Sequence, residues 1–215
     1  MLGLLLEPVS STLLLPICQC SADNYFLYSG DTEWLETVWL NYTRAVAFLE
    51  GKVDISGLMN VTGLRDWARL GQGGHNSEGN ALLYKVYASG YLSGSLLLQV
   101  LTTAADLASY VNATSLASAW AVNATNLKAK FNEAFWVESA GLYRDNETTT
   151  LSPQDGNSFA VLYNLTTSKT QASRISAGLQ KNWNDLGPVA PELPDTITPF
   201  ISGFEVGHYF DLALR

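Results

Sequence analysis

The sequence predicts an all-α fold built from helical hairpins, and three observations carry that prediction. Apolar residues recur at helical spacing in segment after segment. Strand signals are few, at most short extended pieces flanking 137–150. And three segments repeat one plan: "YFLYSGDTEWLETVWLNYTRAVAFL", "LASYVNATSLASAWAVNATNLKAKFNEAFW" and "FAVLYNLTTSKTQASRISAGLQKNW". Each gives an apolar helix, a tight turn and an amphipathic helix, which is a helical hairpin.

The elements follow in order. The opening "MLGLLLEPVSSTLLLPICQC" has an apolar stretch interrupted by Glu7 and Pro8 and no basic leader. It is too broken for a membrane span and poor as a signal peptide. Residues 1–22 are therefore expected to be an atypical N-terminal segment and 23–215 the core domain. Over 31–51, Asp31 is a good N-cap, Glu33 and Glu36 suit the positive end of the helix dipole, and Gly51 is a stop signal. Trp34, Leu35, Val38, Trp39, Tyr42, Val46 and Leu49 form the stripe of this helix. Helical pattern returns over 77–108 with a break near Gly90 or Gly94, then over 112–136, 156–164, 168–184 and 198–213.

Between hairpins the connections are long and polar: 51–75, 137–155 and 185–197. Short turns at one end and long polar loops at the other suit a toroid of hairpins with its site on one face. An ordinary helical bundle with long loops has the same signature.

Composition narrows the function. The 215 residues carry 20 acidic and 12 basic side chains, a formal net charge of -8, with no basic stripe. That balance repels phosphate backbones and excludes a nucleic-acid partner. The paired Cys18 and Cys20 lie too close in sequence for easy disulfide geometry, and two thiols make a poor metal site. Aromatics are abundant, and those in polar loops, Trp67 above all, suit stacking on sugar rings. Six Asn-x-Ser/Thr sequons, at Asn41, Asn60, Asn112, Asn123, Asn146 and Asn164, point to a secreted, glycosylated protein.

The loops hold the chemistry. The first carries Asp54, Arg65, Asp66, Trp67, Arg69, Gln72 and His75; the next Arg144, Asp145, Glu147, Gln154, Asp155 and Asn157. The third leads into "TPFISGFEVGHYF", which sets Glu205 and His208 in an apolar helix. Amides, carboxylates, arginine and indole together suit a sugar, and hydrolysis would need two carboxyl groups in different protonation states. Asp66, Asp155 and Glu205 are the candidates. Each has a bland alternative: Asp66 and Asp155 as helix caps or turn residues, Glu205 on an outer face. His75 and His208 lack a nucleophile or metal partner and suit structural roles. "GQGGHNSEG" lacks the Lys-Ser/Thr of a phosphate loop.

The blocks "YFLYSGDTEWLETVWLNYTRAVAFL", "GLMNVTGLRDWARLGQGGHNSEGNALLYKV", "LYRDNETTTLSPQDGNSFAVLYNL" and "ITPFISGFEVGHYF" stand in this order over about residues 23–215. Together they resemble the catalytic domain of fungal α-L-rhamnosidase-like proteins among the six-hairpin glycosidases. The resemblance implies an (α/α)6 barrel and inverting hydrolysis of terminal α-L-rhamnose, with no metal or organic cofactor. It maps Asp66 and Trp67 onto the rhamnose pocket and matches Gln154 to a family glutamine ahead of a later inner helix; beside them Arg69 and Asp155 are read as further sugar-binding residues and Glu205 as the catalytic carboxylate near the site.

The resemblance is partial. Twelve helices need roughly 350 residues, and this sequence shows about seven. The family's acidic, arginine-rich general-acid block and its late Trp-Glu pair are not in these 215 residues. About half a barrel is therefore expected, with apolar helix faces left open to self-association. A non-catalytic sugar-binding remnant, or a glucosidase- or trehalase-like activity on the same scaffold, are the rival readings.

Overall fold

A computed structural model describes residues 21–63, 73–87 and 104–214, the last five as helix backbone only. The chain alternates buried and half-buried helices. α1 (21–29) and α2 (Thr32–Glu50) form the first hairpin. α3 (Ser77–Tyr87) and α4 (Ala104–Tyr110) precede α5 (Thr114–Phe135). α6 (Gln154–Leu162) pairs with α7 (Lys169–Leu179), and α8 (Pro199–Leu214) comes last.

The tight turns are built by local chemistry. Gly30, Asn112 and Asn164 occupy the left-handed region at φ 64°, 58° and 61°. Glycine and asparagine enter that region at the least cost, so each reverses the chain within two or three residues. Asp31 then caps α2 by accepting from Trp34 N at 2.8 Å, and Ser168 caps α7 by accepting from Gln171 N at 3.1 Å.

Burial separates two layers. Every residue of α3 is buried, as are Gln154 to Val161 of α6. α2 and α5 instead bury one stripe each, Leu35, Tyr42, Val46 and Leu49 on α2 and Trp120, Ala124, Leu127, Phe131 and Phe135 on α5. α3 and α6 are thus inner helices that pack on each other, while α5 backs α3 and α7 backs α6. α8 packs mainly against α6. Its other side leaves Phe200 and Val206 46% and 42% exposed, and α1 and α2 leave Tyr28 and Leu40 77% and 59% exposed. Both ends of the row of hairpins therefore show apolar surface.

Each outer helix leads into a small antiparallel ribbon before the next inner helix begins. β1 (Asn60–Val61) pairs with β2 (Gly74–His75), β3 (Trp136–Val137) with β4 (Leu142–Tyr143), and β5 (Trp183–Asn184) with β6 (Gly187–Pro188). The first and third ribbons correct the sequence expectation. So does the end of the helix expected over 168–184: α7 stops at Leu179, passes through a 3-10 turn at Gln180–Asn182 and enters β5. Asn184 decides this, because its Oδ1 accepts from Leu186 N at 2.8 Å and Gly187 N at 3.1 Å and turns the chain. Gly51 does end α2, but with right-handed φ -64° rather than the left-handed stop that glycine permits.

Candidate functional site

The three long connections meet at one end of the hairpins, laced edge to edge. The first is joined to the second by a bridge between Asn76 and Asn146 and by Ser77 N donating to Asp145 O at 2.7 Å. His75 adds a third tie: Nε2 stands 2.7 Å from Asp54 Oδ2 and Nδ1 3.0 Å from Glu147 Oε2. The second connection is joined to the third where Gln154 N donates to Glu192 Oε2 at 2.9 Å. This end is the mouth, and the inner helices α3 and α6 start there.

Those two starts are built alike. α3 opens Ser77-Glu78-Gly79-Asn80 and α6 opens Gln154-Asp155-Gly156-Asn157. The asparagines do the same work three times over. Asn80 Oδ1 accepts from Met59 N at 2.7 Å, and its Nδ2 donates to Met59 O at 3.1 Å and Asn76 O at 2.9 Å. Asn157 Oδ1 accepts from Tyr143 N at 2.8 Å, and its Nδ2 donates to Tyr143 O and Pro153 O, both at 2.8 Å. Each carboxamide mimics a strand, satisfying both backbone groups of one residue and fixing the preceding connection to the inner helix.

The glycines permit close approach. A β-carbon at Gly156 would overlap Ser77 Oγ and stand 2.9 Å from Ser77 Cβ and 3.3 Å from Glu78 N. A β-carbon at Gly79 would stand 2.6 Å from Val61 Cγ2 and 2.7 Å from Asn76 Oδ1. So the start of α6 lies directly on the start of α3. Glu78 and Asp155, both 0% exposed, flank that contact in the first turns of their helices, where the dipole favours carboxylates. Asp155 Oδ1 also accepts from Gly156 N at 2.5 Å.

Gln154 and Glu205 form the second part of the site. Gln154 Nε2 donates to Glu205 Oε2 at 2.6 Å, and Trp183 Nε1 donates to Glu205 Oε1 at 2.7 Å. Glu205 is 1% exposed. Burial raises its pKa, and the donors Gln154, Trp183 and Tyr209 pull it part of the way back. Both oxygens are thus engaged, and the carboxylate fixes one carboxamide and one indole whose ring is 42% exposed. One turn on, His208 is buried with Nε2 3.2 Å from Ser176 Oγ, and burial pushes its pKa down to about 4. It stays neutral and ties α8 to α7.

Asp66, Trp67 and Arg69 lie outside the described residues. Gln154, Asp155 and Glu205 are gathered within α6 and α8. Arg144, expected among the loop chemistry, is spent on structure: Nε and Nη2 donate to Ala134 O at 2.9 and 2.6 Å, and Nη1 to Glu147 O at 3.1 Å. Among the described residues no cluster of ligating side chains could hold a metal, and no helix is long and apolar enough to cross a membrane. Glu78 and Asn80 were not singled out from sequence, and Asn157 was named there as loop chemistry rather than as a clamp. The signal was present, an acid-Gly-Asn triplet at the head of two buried helices.

The profile of the bacterial α-L-rhamnosidase six-hairpin glycosidase domain matches residues 16–187. The chain belongs to this six-hairpin glycosidase family. Among solved structures, a Klebsiella oxytoca rhamnosidase with rhamnose bound superposes with a TM-score of 0.67 at 17% identity, covering 90% of this chain and 33% of that one. A GH78 family rhamnosidase of Bacillus sp. GL1 gives 0.67 at 20% identity, covering 89% of this chain and 19% of that one. No curated protein sequence matches. The fold is thus part of a helical-hairpin barrel of the six-hairpin type, and the chain spans a third or less of the length of the rhamnosidases it superposes on.

Proposed function

We propose that the six-hairpin domain to which this chain contributes hydrolyses terminal α-L-rhamnosides with inversion, and that this chain supplies one wall of the sugar site. The family match over residues 16–187 carries the reading, and the similar Klebsiella oxytoca rhamnosidase has rhamnose bound. In this reading Asp66, Trp67 and Arg69 bind the sugar from the first connection, and Gln154 and Asp155 from the head of α6. Glu205 acts one step back: it accepts from Gln154 Nε2 at 2.6 Å and so sets which way that carboxamide faces. The block resemblance supports a fungal-like branch of the family.

The same branch implies secretion and N-glycosylation. Asn41, Asn60 and Asn112 are exposed, and these three are the sites proposed to carry glycans first. Asn123, Asn146 and Asn164 are half-buried. Asn112 and Asn164 also serve as turn residues, and Asn123 Nδ2 is engaged at 3.0 Å by Glu50 Oε1. Intact mass before and after enzymatic deglycosylation, from a secreting eukaryotic host, checks this; no mass change sinks it.

The test of the function is nitrophenol release from a panel of aryl glycosides, with circular dichroism to show that the chain is folded. Turnover of the α-L-rhamnoside alone is the specificity expected of the complete domain, and selective binding of L-rhamnose that of this chain. A folded chain that binds L-rhamnose without turnover would favour the second reading, a sugar-binding piece, for which the 33% and 19% coverage of the matched enzymes speaks. Turnover of a glucoside instead would overturn both.

A further inference from the structure

We infer that a cleft between α2, α3 and α5 is a second binding site, for a neutral polyol the size of one monosaccharide ring. Its volume is about 330 Å³, at the small end of the roughly 300–1,000 Å³ usual for ligand pockets. No residue of α6, α7 or α8 lines it, so it is separate from the Gln154–Glu205 cluster and goes beyond the rhamnoside reading.

Its chemistry is divided in the way a sugar ring requires. Val53, Leu83 and Leu127 give an apolar wall suited to C–H faces. Glu50, Asn123 and Asn126 give directional acceptors and donors suited to hydroxyls. Glu50 is already oriented, since its Oε1 accepts from Asn123 Nδ2 at 3.0 Å. Trp120 also bonds this carboxylate, so the Asn123 carbonyl and the Asn126 carboxamide are what remain for the hydroxyls of a ligand.

Tyr87 is the observation that points to an occupant. Its side chain lines the cleft and the residue is only 3% exposed. Yet its hydroxyl makes no hydrogen bond to any described group, unlike Tyr42, Tyr143 and Tyr209, whose hydroxyls donate to Asp23, Asn132 and Ser176. A hydroxyl that opens into a cleft without a protein partner is free to pair with something inside it. Burial and the nearby Glu50 raise the phenol pKa, so it remains a neutral donor. A carboxylate in the wall and a net charge of -8 turn anions away.

The experiment is a methyl and indole NMR titration of the full chain with L-rhamnose and, separately, D-glucose. Leu83 and Leu127 methyls report on the cleft, and the Trp183 indole N–H, held by Glu205, reports on the other cluster. Saturable shifts of the leucine methyls with either sugar are expected. Tyr87→Phe removes only an unpaired hydroxyl, so the variant should fold, and it should weaken that response about five- to tenfold, the worth of one hydrogen bond. Asn126→Ala should weaken it similarly and leave the Trp183 response unchanged. Leucine methyls that do not move, or that respond in Tyr87→Phe and in Asn126→Ala as they do in the parent chain, overturn the site. A response confined to Trp183 overturns it too, and leaves the rhamnoside reading standing.

Discussion

The head of α3 and the head of α6 are the same device used twice, and they differ in what each leans on. In both, an acid stands in the first turn, a glycine follows, and an asparagine brackets the backbone of one residue upstream, Met59 or Tyr143. At α3, however, Gly79 faces side chains, Val61 and Asn76, from its own connection. At α6, Gly156 faces Ser77 and Glu78 N, the head of the neighbouring helix. The first glycine fits a loop to its helix; the second fits one hairpin to the next. Position one differs as well, with Ser77 pressed against Gly156 while Gln154 reaches to Glu205 on α8. Repetition thus makes the unit, and the departures from it make the seams between units.

The sharpest test is at those glycines. Gly156→Ala should destabilise by about 2–3 kcal/mol, in the upper part of the range for overpacking, because the atoms met are a helix backbone nitrogen and the short Ser77. Gly79→Ala should cost less, about 1–2 kcal/mol, since a valine methyl and an amide can shift. Urea denaturation of the two variants measures the difference. Ser77→Gly placed on Gly156→Ala should recover part of the loss, as it removes the two nearest atoms. Equal costs, or a larger cost at Gly79, would mean that the contact between the hairpins is not the tighter one.

Next in size are the clamps. Asn157→Ala and Asn80→Ala each strand a buried backbone N–H, of Tyr143 or Met59, and each should cost about 1–3 kcal/mol. The two effects should be similar, because the bonding is the same at both sites. Hydrogen exchange at the Tyr143 and Met59 amides reads the consequence directly, with faster exchange confined to the clamped residue. Loss of protection across the whole of α6 but not α3 would break the equivalence of the two heads.

What the sequence made legible follows the range of the forces involved. The helices α2 and α5 were readable because their stripes and turns are local: Asp31 caps within three residues, and Asn112 turns by its own φ. The first and third ribbons were not readable, since two-residue strands carry no period, and the helix expected to 184 ends at Leu179 ahead of the turn that Asn184 builds with two short-range bonds. At the site, Gln154 and Asp155 were visible as polar loop residues ahead of a helix that in fact begins with them, and Glu205 as a polar group in an apolar helix. Their arrangement was not, because the Gln154–Glu205 bond spans 51 positions. The clamping role of Asn80 and Asn157 was missed for a different reason: each acts on a residue 21 or 14 positions away, and only the repeated triplet betrays that both do the same thing.

The smallest expected effect lies in the strap that joins the two heads, and its sign follows from hydrogen-bond chemistry. His75 stands on β2, before α3, and reaches both Asp54 of its own connection and Glu147 of the next. Carboxylates only accept, and a neutral imidazole has one N–H, so both contacts are satisfied only by the imidazolium. Burial alone would lower the His75 pKa, but Asp54 and Glu147 outweigh it and hold it above the ordinary value of 6.5. Asp54 is held down to about 2, first by the Ser56 hydroxyl and N–H and then by His75. A raised folded-state pKa means that the folded chain binds the extra proton, so the strap stabilises fully below the ordinary histidine value and fades as pH rises through the raised one. His75→Gln can reach only one carboxylate and does not titrate. The melting-temperature gap between the parent chain and this variant should therefore be present near pH 6 and shrink steadily by about pH 8. The gap should stay small throughout, since Asp54 and Glu147 are 42% and 46% exposed and solvent screens the pair. A gap that widened with pH would mean that His75 is held neutral, with one of its two contacts unmade, and that the heads are joined chiefly by the Gly156 contact, the Asn76–Asn146 bridge and the Ser77–Asp145 bond.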